Sequence, residues 1–458
     1  MRSLLLSLIV ACLAVSSTTI AADSSQPIHV TIDAAKTGAP INPFIYGQFI
    51  EHLGRCIYGG IWAEMLEDRK FYFPITDKYD PYRGLNDTKF PVIAASPWEV
   101  LGPAGSVTMV KKNAFAGEQS AEIAAGSGIR QNDLGLVAGK KYVGYVWARA
   151  PHAASFLTIH FNWRSSESLT TVPLPEAARN DYQKVPFKFT AKDNTDKGSL
   201  SIEASAAPLV IGAISLMPAD NVHGFRADTL ALLKQLHGTI YRWPGGNFVS
   251  GYDWRDGIGP RDRRPTRKNP AWSGIDSNDV GLDEFLDLCH QIDAEPLIAV
   301  NTGFGDDYSA AQEVEYTNGS KVTIGGSWRV KYGHAEPYAV KYWCVGNEMW
   351  GPWQLGHMEF NQYALKHERF VRAMRKVDPD ILLVGSGDLG TKVTLNDGKE
   401  KHEMSWSEGL LRRCGDAMDF ISEHFYEGRT PWGGKTPDDL PVYVALLKNE
   451  IHKKARKH

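Results

Sequence analysis

The feature that most constrains this chain is a rhythm that starts near residue 225. Short apolar runs alternate with stretches of helical period. The runs are TIYRW at 239, PLIAVNTG at 296, KYWCVGNE at 341, ILLVGSGD at 381 and DFISEHFY at 419. Their near-continuous apolar character is that of strands covered on both faces. Between them, Leu282, Phe285, Leu286, Cys289 and Ile292 form one apolar stripe. Phe360, Tyr363, Ala364, His367, Phe370, Val371 and Met374 form another, in which His367 is expected to be a packed core histidine. Such alternation predicts a parallel α/β fold.

The ends of the runs distinguish a barrel from an open sheet. An open nucleotide-binding sheet carries a glycine-rich first turn, and no GxGxxG or P-loop follows a strand here. Polar and aromatic residues instead crowd the C-terminal ends: Arg242 and Asn247, Asn301, Asn347 and Glu348, Asp388, His424 and Tyr426. One site assembled from all the loops at the top of a barrel has this distribution. Adding the strand-like PFIYGQFIEHLG at 43 gives six strands, so the expected fold is an incomplete (β/α)8 TIM barrel.

Residues 95–218 break the rhythm with short alternating runs such as KYVGYVWARA, SFLTIHFNW and VPFKFTA, separated by polar turns. This is the pattern of an all-β sandwich, inserted after the first barrel strand. The expected organisation is a signal segment 1–22, a first barrel unit 23–94, the sandwich 95–218 and the remaining barrel 219–458. Arg2, the apolar run Leu4 to Val15 and the small residues before Asp23 read as a secretory signal, predicting a secreted or periplasmic protein. Cys56, Cys289, Cys344 and Cys414 show no metal-type spacing and read as structural thiols. A net charge of −3 without clustered Lys or Arg excludes a nucleic-acid footprint, and the sequence contains no membrane span.

Glu348 stands where the apolar run YWCV exits into GNEMWGPW. Trp343, Trp350 and Trp353 are placed to exclude water from it, and burial of that kind raises a carboxyl pKa toward that of a general acid. Glycosidic cleavage requires two carboxyl groups, about 5–5.5 Å apart for retention and about 6.5–9.5 Å for inversion.

Five blocks, IYGQFIEHLGRCIYGGIWAEML, YRWPGGNFVSGYDWRDGIGPRDRRPTR, AWSGIDSNDVGLDEFLDLC, EPLIAVNTGFG and KYWCVGNEMWGPWQLGH, resemble successive blocks of the α-L-arabinofuranosidases of glycoside hydrolase family 51. The sandwich resembles a carbohydrate-binding module of the family 4/9 type. The resemblance implies Glu348 as the acid/base, with Asn347 holding the sugar 2-hydroxyl. It implies Glu51 and Asn247 as further arabinose ligands and Arg242 as the residue that orients a nucleophilic carboxylate. His424 and Tyr426 would line the same pocket. Arabinose-containing polysaccharides would be the substrates, no metal or cofactor is required, and a homo-oligomer fits the family pattern.

The family is retaining, so a nucleophilic Glu on a seventh strand is implied, and the strand count places it beyond His458. Glu423 alternates away from His424, and Glu51 matches a ligand role. The alternatives are a non-catalytic sugar-binding fragment, or the same chemistry on xyloside or glucan linkages. Trp147 and Trp163 are the candidate sugar-binding aromatics of the sandwich.

Overall fold

The computed structural model describes residues 30–83, 92–163, 166–396 and 400–424 of the chain. Residues up to Asn42 form a unit of their own, whose described part, 30–42, contains turns but no helix or strand.

All six expected barrel strands form, parallel and in sequence order. They are the first (Gln48–Phe49), second (Ile240–Trp243), third (Glu295–Val300), fourth (Tyr342–Val345), fifth (Leu382–Ser386) and sixth (Phe420–Ser422). Helix α1 (Ala227–Leu236) precedes the second strand and α2 (Leu282–Gln291) the third. The pair α3 (Asp307–Asn318) and α4 (Ile324–Lys331) precedes the fourth. Helix α5 (Phe360–Val377) precedes the fifth strand and α6 (Trp406–Cys414) the sixth.

Register explains which residues pack where. Trp243 pairs with Ile298, Ile298 with Trp343 and Trp343 with Leu383, giving one fully buried row against the helices. Trp243 stacks on Phe285 of α2 with ring centroids 5.1 Å apart. The alternate row turns the other way, where Ala299 and Cys344 pack with Val249, Leu297 and Val384. Every residue of the stripe expected in α5 is buried, His367 included. Its ring is neutral, because desolvation pushes its pKa down to about 4, and Nε2 lies 3.3 Å from the Ala417 carbonyl. The four described cysteines are free thiols, three buried and Cys56 half-buried.

Helix starts follow local chemistry. Asp306 accepts from the Ser309 amide at 2.7 Å, Thr323 from Gly326 at 3.2 Å and Ser405 from Glu408 at 3.2 Å. Each satisfies an amide that the first turn leaves without a partner.

The inserted sandwich occupies residues 99–218, between the first strand and α1. One antiparallel sheet runs in the order Glu99–Leu101, Ser127–Leu136, Thr195–Ala204, Phe156–Trp163, Ser166–Pro173. The other runs Val107–Val110, Ser120–Ile123, Leu209–Pro218, Lys141–Arg149, Gln183–Thr190. Ile129, Ile159, Ile202, Val146, Val185 and Ile214 share one core between them. Trp163 lies in that core, parallel to Phe189 at 5.6 Å. Trp147 instead spends its indole N–H on Asp262 of a barrel loop, at 2.8 Å. Burial of Trp163 corrects the expectation that this ring binds sugar, while Trp147 is half-buried beside Phe115 at 5.0 Å.

A buried charge cluster joins sandwich to barrel. Arg69 donates twice to Asp279, at 2.6 and 2.8 Å, and once to Asp262 at 2.9 Å. Lys70 donates to Asp279 at 3.0 Å and to the Ser277 carbonyl at 2.5 Å. Glu64 lies 3.9 Å from Arg69 and accepts from Ser215 at 2.6 Å and from the Leu216 amide at 2.9 Å in the last sandwich strand. Three carboxylates share two cations, so one carries surplus negative charge. Asp279, closest to both cations, is held far below the usual carboxylate range by Arg69 and Lys70. Glu64 is the surplus one, and burial pushes its pKa up to about 7.

Two outcomes are expected. Removing the Asp279 charge leaves the buried Lys70 without its carboxylate partner and takes the bidentate acceptor from Arg69, so Asp279→Asn should lower stability in urea unfolding by about 3–5 kcal/mol. The folded protein also holds a proton on Glu64 that the unfolded chain releases near 4.5. Stability therefore falls as pH rises from about 4.5 to about 7. Glu64→Gln should flatten that part of a Tm-versus-pH curve, and an unchanged slope would place the proton elsewhere.

Candidate active site

The C-terminal ends of the second, fourth and sixth strands bring Arg242, Asn347, Glu348 and His424 together. After Val345 the chain turns sharply at Gly346, where φ is +88° and an added Cβ would lie 1.9 Å from Thr302 Oγ1. Glycine is required there on both counts. Glu348 follows with φ +45°, a left-handed conformation uncommon for a non-glycine residue and typical of functional turns. The Gly351 amide closes that turn on the Glu348 carbonyl at 2.7 Å.

Both carboxylate oxygens of Glu348 have partners. His424 Nδ1 lies 2.7 Å from Oε1, and Trp353 Nε1 donates to Oε2 at 2.6 Å. The residue is 8 % exposed. Desolvation acts to raise its pKa, but the hydrogen bonds from His424 and Trp353 and the charges of His424 and Arg242 outweigh it. The carboxyl is held below its ordinary value, which overturns the expectation that its surroundings raise it. Hydrogen bonds to the charged form win here over burial. Of the three tryptophans expected around Glu348, Trp343 is elsewhere. Strand alternation turns it under the helices, where its N–H donates to the Val340 carbonyl. Trp350 stands perpendicular to Trp353 at 5.1 Å and donates to the Gly387 carbonyl.

Asn347 is 2 % exposed and committed at both ends of its amide. Oδ1 accepts from Arg242 Nη2 at 2.6 Å, and Nδ2 donates to Gln354 Oε1 at 2.9 Å. Gln354 in turn donates to Ser250 Oγ at 2.6 Å. One amide N–H and one lone pair of Asn347 remain for a ligand. Arg242, expected to orient a carboxylate nucleophile, donates through Nη2 to Asn347 and lies over the Phe49 ring at 4.9 Å.

Glu51 enters the same mouth from the loop after the first strand. Its Oε1 accepts from the Phe248 amide at 3.0 Å and from Trp272 Nε1 at 2.7 Å. A Cβ on Gly246 would lie 2.5 Å from Oε2, so PGGN uses glycine to let the carboxylate lie against the backbone. Asn247 opens a 3₁₀ turn, Asn247–Gly251, half-buried beside it. His52 supports this corner. The Trp243 indole can only donate, so His52 Nε2 accepts from it at 3.0 Å, and Nδ1 carries the proton toward Asp276 at 2.5 Å.

The other strand-end residues do different work. Asn301 braces its own loop, accepting from the Phe304 and Gly305 amides at 3.1 Å. Asp388 accepts from the Thr391 amide in a local turn. Glu423 bonds to Ser407 of α6 while its neighbour His424 bonds to Glu348, the divergence expected from strand alternation. Tyr426 lies outside the described residues. Trp272, Gln354 and Ser250 were not among the expected site residues. All three lie within the conspicuous sequence blocks, but nothing in their spacing says which way they point.

Among the described residues no group of three or more His, Cys, Asp or Glu is placed to hold a metal ion, and no helix is long and apolar enough to cross a membrane. A cavity of about 550 Å³ lies at the sandwich–barrel junction, away from Glu348. Among the charged residues lining it, Arg55 pairs with Glu67 and Arg226 with Asp228, and Glu64, Arg69 and Asp279 belong to the junction cluster.

Comparison with known proteins points the same way. Residues 232–431 match the family described as alpha-L-arabinofuranosidase 1 domain. A probable alpha-L-arabinofuranosidase C of Aspergillus fumigatus is 40% identical over 197 residues, covering 43% of this chain and 37% of the relative. An intracellular exo-alpha-(1->5)-L-arabinofuranosidase of Bifidobacterium longum is 35% identical over 274 residues, covering 56% of this chain and 47% of the relative. The chain thus spans less than half the length of these curated relatives. An arabinose-bound GH51 α-L-arabinofuranosidase structure superposes with a TM-score of 0.60 at 18% identity, covering 74% of this chain and 58% of the other, which supports the fold.

The Gly346 turn is directly testable. Gly346→Ala should destabilise the protein by more than about 1 kcal/mol in chemical denaturation, from both the positive φ and the Thr302 clash. Adding Thr302→Ala should recover the steric part alone.

Proposed function

We propose, on the footing that the barrel portion of this chain belongs to the α-L-arabinofuranosidases of glycoside hydrolase family 51, that it carries the acid/base half and the sugar-binding face of a retaining site. The substrate class is a non-reducing terminal L-arabinofuranoside on a hemicellulose such as arabinoxylan or arabinan. The observation that carries this reading is the Glu348 carboxyl, set on a left-handed turn and held at both oxygens beside Asn347 and His424.

In this reading, Glu51, Asn247 and the remaining donor and acceptor of Asn347 receive the sugar hydroxyls. Glu348 protonates the leaving oxygen and later accepts a proton from the attacking water. The described arrangement is the base form. A sugar that takes up the His424 or Trp353 hydrogen bond removes a stabiliser of the anion and raises the carboxyl toward its acid role. The second carboxylate that retention requires is not among the described residues around Glu348. The family resemblance assigns it to the barrel strand after the sixth. Export belongs to the reading through residues 1–22, and N-terminal sequencing of the mature protein tests it, since several relatives are named intracellular.

The decisive experiment is release of aglycone from aryl α-L-arabinofuranosides, with and without azide or formate as an external nucleophile. Glu348→Gln should slow release of a poor leaving group by about 100-fold or more. A dinitrophenyl substrate, which needs no protonation, should be affected far less. Equal rates in the variant and the unsubstituted protein would remove Glu348 from the chemistry.

A further inference from the structure

The Trp353 side chain combines two properties that rarely coincide. Its ring is 54% exposed, yet its N–H is spent at 2.6 Å on the buried carboxylate of Glu348. Water could solvate that N–H at no cost, so the bond persists because the ring is held in place. Gly351 makes room for it, since an added Cβ there would lie 2.6 Å from the indole. Trp350 supports it edge-on at 5.1 Å and is itself anchored to the Gly387 carbonyl.

An indole N–H donates and never accepts. Toward Trp353, Oε2 can therefore only accept, whereas Oε1 faces His424 Nδ1 at 2.7 Å, a ring nitrogen that donates or accepts according to its tautomer, so the arrangement favours Oε1 as the oxygen that carries a proton. The charged groups facing the carboxyl are His424 from the sixth strand and Arg242 from the second. Asp388 and Glu423, at the neighbouring strand ends, bear on one another. Of the two side chains bonded to the Glu348 carboxyl, Trp353 is thus the one whose donor role is fixed.

We propose that Trp353 is a positioning residue for the acid/base, fixing which carboxylate oxygen carries the transferable proton and setting the pH at which it does so. This rests on Glu348 being the acid/base, but its test does not. With glutamate carboxyl carbons labelled with carbon-13, the Glu348 resonance is identified by its loss in Glu348→Gln and titrated by NMR in the full chain. Trp353→Phe keeps a flat ring and deletes only the donor to the anion. Its Glu348 midpoint should rise by about one pH unit or more.

The unsubstituted protein provides a second readout that does not depend on folding of the variant. The Trp353 indole nitrogen-15 resonance should titrate with the Glu348 midpoint, and that step should vanish in Glu348→Gln. A Trp353→Phe midpoint within a few tenths of the original overturns the proposal, as does a pH-independent indole resonance. Failure of the function reading appears elsewhere, as aglycone release that ignores Glu348→Gln.

Discussion

The contact on which most of this architecture depends is the buried pair of Arg69 with Asp279, reinforced by Lys70 and Asp262. It lies where the sandwich meets the barrel loop running from the second strand to α2. That loop carries Asp276, which holds His52, and Trp272, which holds Glu51. The sandwich is therefore bonded to the same loop that holds His52 and Glu51 of the candidate site. A buried pair of this kind contributes little net stability compared with an apolar equivalent, but it tolerates no missing partner. Its value here is geometric: a bidentate guanidinium has one orientation on a carboxylate.

Glu348 sits on the opposite wall, and its environment is arranged differently. The junction cluster lies deep, with five ionisable groups compensating one another. The Glu348 carboxyl is held by His424 and Trp353, with the Arg242 charge near enough to act on it. Burial alone would have favoured its neutral form. Two directed hydrogen bonds, from opposite sides of the carboxyl, reverse that preference.

Much of the barrel was legible in the sequence because period and strand ends are local signals. The α5 stripe was read residue by residue, and all six strands formed where the apolar runs stood. Arg242, Asn347, Glu348 and His424 could be grouped because parallel strands deliver their C-terminal ends to one side. Side-chain direction beyond the strand was harder. Trp343 was one position out of phase with the pocket, and Trp147 and Trp163 look alike in an alternating run although one faces the core and the other a barrel loop. The Glu348 pKa was misjudged because hydrophobic neighbours are visible in sequence, whereas an indole N–H aimed at an oxygen is not.

The position of the sandwich has a consequence for how the chain assembles. The first barrel strand, Gln48–Phe49, must find its parallel partner at Tyr241–Arg242 across the entire insertion. Closing so long a flexible loop is entropically unfavourable and slow. The last sandwich strand holds the segment that follows the first barrel strand, with the Met65 amide bonded to the Leu216 carbonyl at 3.0 Å and the Ile214 amide to the Arg69 carbonyl at 3.0 Å. In the folded chain the insert thus holds the segment that leads out of the first strand close to the segment that leads to its partner, a clasp across the sequence gap between Gln48–Phe49 and Tyr241–Arg242.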